Sequence, residues 1–147
     1  MSGMRDIRDG LMAALGPLGV GGGGYVRALV ATDLVPGPAA MVEAALQFPA
    51  VFVCYSSSEF SPGQYKRMDE TLGFTVFAVC RQGGRPGPFE VMGGVRDLLA
   101  GASVAGASRP VRLLRESPAH CPEGFVAVSA LYSAARTAEM PAQTVSV

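Results

Sequence analysis

Ala50-Val51-Phe52-Val53-Cys54-Tyr55, reached through Phe48-Pro49 and followed by three serines, is an unbroken apolar run. It is too short for an ordinary helix, and a continuous run bounded by turn formers is the signature of a strand covered on both faces. The run therefore belongs in the interior of a sheet. Downstream, Met68 to Arg81 reads as one long strand built around Leu72, Phe74, Val76, Phe77 and Val79. Ser56 to Gly63 lies between them as a polar, turn-rich loop, so the two strands are expected to pair antiparallel.

Working outward, Gln82 to Pro88 is a glycine- and proline-rich loop whose last proline can open a helix over residues 88–100. That helix is expected to show Phe89, Met92, Val95 and Leu99 on one face and to stop at Gly101. Val111 to Arg115 and Phe125 to Ala134 read as two further strands, with Ser117 to Pro122 as a loop, and residues 136–147 as a loose tail. Towards the N-terminus, Pro38 opens a short helix through Leu46, and Tyr25 to Val30 is a short strand. Residues 1–18 form a helical segment. Met4, Ile7, Leu11, Leu15 and Leu18 fall at helical spacing, giving an amphipathic helix over about residues 3–15 before Gly16-Pro17. Gly19 to Gly24 reads as a flexible hinge or loop.

The order helix, strand, short helix, strand, strand, helix, strand, strand lacks the regular alternation of a doubly wound sheet. It predicts one α+β domain, with an antiparallel or mixed sheet flanked by two main helices. A chain of 147 residues is long enough to build its own core without disulfides or a structural metal. Apolar residues make up 49% and charged residues 16%. That balance excludes disorder and leaves little charge for a monomer's surface, so burial against partners is expected. Twelve basic residues balance twelve acidic ones, which disfavours duplex nucleic acid as a partner. No segment has the length of a membrane span, and Asp6 and Asp9 interrupt the N-terminal pattern that a secretory signal would need.

Chemistry-bearing patterns are absent or incomplete. His120-Cys121 are adjacent, and adjacent side chains seldom meet as nucleophile and base. Cys54, Cys80 and Cys121 form no zinc-ligand spacing, and the first two sit in apolar runs as small hydrophobes. The glycine run is followed by Tyr25-Val26-Arg27 rather than the Gly-Lys-Ser/Thr of a phosphate-binding loop. Asp69-Glu70 point to opposite faces of a strand and are expected to solvate an edge. What the sequence offers instead is contact chemistry. Glu59, Phe60, Tyr65 and Lys66 lie in one loop and Arg81 and Arg85 in another, groups suited to polar and aromatic contacts and equally to a plainly solvated loop.

Several strings resemble the Mu-like phage tail family and, more distantly, tail terminator proteins. They are IRDGLMAALG at 7–16, FPAVFVCY at 48–55, GFTVFAVCRQ at 73–82, GPFEVMGGVRDLLAG at 87–101 and GFVAVSALYSA at 124–134. The resemblance covers most of the chain, from about residue 4 to 135. The resemblance implies a structural virion protein rather than an enzyme, with no cofactor and no metal. It implies a hexameric ring of this chain at the head-proximal end of the tail, which stops tube growth and joins the tail to the neck. Its partners would be further copies of itself, the tail tube protein, with the sheath as another candidate, and a neck or connector protein. It implies no sequence-specific nucleic acid and no membrane. Its place would be the virion tail or neck, after assembly in the host cytoplasm. On this reading Phe60 and Tyr65 anchor contacts to neighbouring subunits or the tube, and Arg81 and Arg85 donate ion pairs. A small cytoplasmic enzyme with a pocket between the helix at 88–100 and the sheet, and a ligand-binding module, are the alternatives.

Overall fold

The computed structural model describes residues 3–62 and 67–139. Three helices, α1 (Gly3–Ala14), α2 (Pro38–Ala45) and α3 (Pro88–Leu99), accompany five strands. The strands are β1 (Ala28–Thr32), β2 (Ala50–Pro62), β3 (Arg67–Arg81), β4 (Arg112–Ala119) and β5 (Phe125–Glu139). They form one mixed sheet in the order β1-β2-β3-β5-β4, with only β1 and β2 parallel. A parallel neighbour needs a crossover, and α2 supplies it. The α+β architecture is as the element order predicts.

Alternation along the strands divides the core in two. Val51 and Val53 of β2, Leu72, Phe74, Val76 and Ala78 of β3, and Val128, Ala130 and Tyr132 of β5 face α1 and α3. Ile7 and Leu11 of α1, and Leu15 just after it, are fully buried there, as their spacing requires. On α3 the buried stripe is Val91, Met92, Val95 and Leu99, whereas Phe89, expected inside, is 69% exposed. It sits in the first turn, ahead of the point where the helix meets the sheet. The opposite sheet face presents Ala50, Phe52, Cys54, Phe77 and Val79 to Met41 and Ala45 of α2. β2 is thus buried on both faces over residues 50–54.

Several expectations need correction. Ser56 to Pro62 is strand, not loop: after a bulge at Tyr55/Ser57, β2 pairs with β3 from Ser57↔Gly73 to Pro62↔Met68. The segment is polar because most of its residues are exposed. β4 runs through Ser117 to Ala119, where the sequence suggests a loop, and Pro118 is tolerated because β4 is an edge strand. β5 extends to Glu139 through its pairing with β3, so residues 136–139 are not a loose tail; the rest of that predicted tail lies outside the described residues.

At the other end, β1 begins at Ala28 because Val26 is taken up elsewhere: its N–H donates to the Leu18 carbonyl at 3.0 Å and its carbonyl accepts from Val20. The glycine run forms a compact knot rather than an open hinge. A Cβ on Gly22 would overlap the Gly16 carbonyl, and one on Gly24 the Leu18 carbonyl. Asp69 and Glu70 lie on the central strand, and Glu70 is 8% exposed and paired rather than solvating an edge.

Candidate functional site

The register of β2 on β3 sends the candidate contact residues to opposite ends of the sheet. Ala50 faces Val79, near Arg81, while Phe60 faces Glu70. Ten residues of strand separate the two positions, roughly 33 Å. Glu59 and Phe60 therefore cannot share one surface with Arg81 and Arg85. Tyr65 and Lys66 lie outside the described residues.

The distal end is a three-stranded tongue. β1 makes its last pair at Thr32↔Cys54 and β4 its first at Arg112↔Ser133, so β2, β3 and β5 run on alone to Arg67↔Glu139. Phe60, Glu70 and Arg136 stand in one row across it. Arg136 Nε donates to Glu70 Oε1 at 2.6 Å, with the two side chains 29% and 10% exposed. A carboxylate so far removed from water needs such a partner. Phe60, by contrast, is 58% exposed. Glu59, on the other face, lines a shallow depression with Phe60, Ser61 and Thr71.

At the proximal end Arg81 has an internal role that sequence reasoning missed. Its guanidinium carbon lies 5.4 Å from the Phe48 ring centroid and 5.5 Å from that of Phe125, whose rings are 4.8 Å apart. Both distances are within cation–π range. The cation thus ties the chain ahead of β2 to the start of β5. Arg85 is exposed and has no ion pair among the described residues. It borders a cavity of about 100 Å³ with Phe48, Pro49, Cys80, Arg81, Gly84 and Pro86.

Among the described residues neither end brings a thiol together with a base. Burial pushes the Cys80 thiol up to about 11 and raises those of Cys54 and Cys121. A thiol so displaced holds its proton at neutral pH. His120 is exposed, whereas Cys121 packs beside Phe125 against the α2 side of the core. Among the described residues no cluster of three His, Cys, Asp or Glu side chains could hold a metal, and no helix is long and apolar enough to cross a membrane.

Sequence reasoning also missed three exposed leucines, Leu34 at 77%, Leu46 at 79% and Leu114 at 50%. Only the last left a trace: Leu113-Leu114 puts two large apolar residues side by side in a strand, and a regular strand would send them to opposite faces.

No protein-family model matches the chain, and no curated protein matches it. Among solved structures the fold is similar to that of a chain in the virion of a native gene transfer agent (GTA) particle. The superposition has a TM-score of 0.61, covers 93% of this chain and 98% of that one, and aligns residues that are 14% identical. The two chains share their fold essentially from end to end.

Proposed function

We propose that this chain is a structural protein of a phage-like virion, acting as a tail terminator or tail-completion ring where the tail meets the neck. The observation that carries this reading is the fold shared with a virion chain over nearly the full length of both. The surfaces are compatible with it: weakly charged, with contact groups at two opposite ends of the sheet. In such a ring one end of each subunit, the tongue with Glu59 and Phe60, meets one axial neighbour. The end carrying Arg85, beside the clamp of Arg81, meets the other, so tube growth stops because the second face no longer matches the tube. Tyr65 and Lys66 belong to the same proposed tongue contact.

Negative-stain electron microscopy of the full chain, alone and mixed with tail tubes from the same source, tests this. Rings, or tubes capped by a uniform end structure, are expected. Small particles that never bind tube ends would reject the reading, and capping left intact by Phe60→Ala combined with Arg85→Ala would reject the assignment of these contact residues.

A further inference from the structure

The cavity of about 100 Å³ at the proximal end is lined by two arginines and by no acid. Phe48, Pro49 and Pro86 give it apolar surface, and Cys80, Arg81 and Arg85 complete it with Gly84. The turn after β3 brings the two cations together. Gly84 N–H donates to the Arg81 carbonyl at 2.9 Å, with Gly83 at φ 76°, a conformation glycine takes without strain. The chain therefore doubles back, and Arg85 reaches the cavity that Arg81 borders.

Arg81 is placed by the rings of Phe48 and Phe125, a contact that uses none of its N–H donors. Among the described residues the arginines whose side chains find acceptors are Arg5, Arg8, Arg96 and Arg136. Arg81 and Arg85 are not among them. Glu90 and Glu123, in the segments adjoining this end, are exposed, make no ion pair among the described residues and do not line the cavity. The Cys80 thiol holds its proton and adds no negative charge. The cavity thus presents cationic donors and an apolar wall with no counter-charge of its own.

Those three features select the ligand. The fork of a guanidinium matches the two oxygens of a carboxylate. A phosphate would leave oxygens facing Phe48 and the prolines unpaired, whereas a carboxylate on a hydrocarbon stem lays that stem against them. Benzene occupies a cavity of roughly 150 Å³, so a carboxylate with about two methylenes suits this smaller one. We propose that the cavity receives a glutamate side chain of the axial neighbour that the proximal end meets. This rests on the ring reading above and names the chemistry of that contact. A side chain carried by a partner already held nearby brings no separate translational cost, which a free acid of the same size must meet in full.

Sodium propionate has the same stem and carboxylate. The full chain is titrated with it while NMR follows the arginine Nε–H signals, with sodium chloride at matched ionic strength as the reference. Saturable shifts of the Arg81 and Arg85 signals are expected. Binding should weaken about tenfold in Arg85→Gln, a change in an exposed loop that keeps Arg81 on its two rings. No saturable shift, or tighter binding of inorganic phosphate than of propionate, would overturn the site. In assembly with tail tubes and neck proteins from the same source, Arg85→Gln should weaken one of the two axial junctions about tenfold and spare the one made by the tongue. Both junctions unchanged would reject the glutamate contact and leave the ring reading standing. A parent chain that binds propionate yet forms neither rings nor capped tubes would reject the ring reading and its partner, while the carboxylate site stands.

Discussion

Replacing Leu46 with glycine should stabilise the free subunit slightly while weakening its assembly. An L-residue held in the left-handed region costs roughly 1–2 kcal/mol, and Leu46 sits there with φ 59°. Glycine removes that strain but adds about 0.5–1 kcal/mol of chain entropy to the unfolded state. The side chain is 79% exposed. Only about a fifth of the roughly 2 kcal/mol available from burying a leucine is therefore at stake, about 0.4 kcal/mol. The net lies between a loss of about 0.4 and a gain of about 1.1 kcal/mol, centred on a small gain, or between about −2 and +4 °C in Tm for a domain of this size. If the side chain is buried between subunits, losing it removes about 1.5–3 kcal/mol per contact, a weakening of roughly ten- to a hundredfold. Leu46→Ala separates the two effects, because it deletes the side chain and keeps the backbone strain. Thermal melts followed by circular dichroism at dilute protein, paired with sedimentation velocity over a concentration series, read both quantities. A fall in Tm of more than about 3 °C for Leu46→Gly would show that the leucine is neither strained nor free in the subunit. Unchanged association in both variants would refute its place in a contact.

The Tyr132 hydroxyl is fully buried without a hydrogen-bond partner among the described residues, and burial, with Glu116 adding to it, pushes its pKa up to about 12. Tyr132→Phe should raise stability by about 1 kcal/mol in urea unfolding, since an orphaned buried hydroxyl costs about 1–3 kcal/mol; a loss of that size would show that the hydroxyl is satisfied. Glu70→Ala strands Arg136 in the tongue, and because that guanidinium can turn partly to water the cost should be about 2 kcal/mol rather than the 3–5 of a fully buried pair. A change below about 0.5 kcal/mol would place the pair among surface ion pairs of little worth. Titration of the native protein with a thiol-reactive disulfide at pH 8 should modify half-buried Cys121 before Cys54 and Cys80, because both of these are buried and Cys80, with a pKa of about 11, stays protonated there. Prior reaction of Cys80 would contradict its burial.

How much was legible in the sequence follows from what each residue packs against. Ala50 to Cys54, the stripe Ile7, Leu11 and Leu15, and the alternation in β3 are written by burial, and burial leaves a periodic trace. Ser56 to Pro62 is written by solvent. An exposed strand of serines and Glu59 has the composition of a loop, and only its pairing with Gly73 to Met68 makes it a strand. Tyr25 and Val26 have strand-forming side chains, but the chain around Leu18 and Val20 claims Val26's backbone groups first. Arg81 read as a surface cation because neither Phe48 nor Phe125 is near it in sequence. Leu46 was legible as the end of a helix but not as a residue in the left-handed region, since sequence statistics place glycine there.

The distribution of irregular features favours assembly over catalysis. Strain in an enzyme gathers around a pocket where charge develops. In this chain the left-handed leucine stands at the end of α2 and the bulge in the edge strand β4, and neither touches the cavity beside Arg85. The interior ion pair of Glu70 and Arg136 and the Arg81 clamp stiffen the tongue and the proximal end. A subunit closed into a ring and stacked on a tube needs four contact borders, two lateral and two axial, each held in shape before its neighbour arrives. Preorganisation of that kind lowers the ordering cost of association. On the proposed ring reading, that would account for a small, weakly charged domain that holds a leucine outward in a strained backbone.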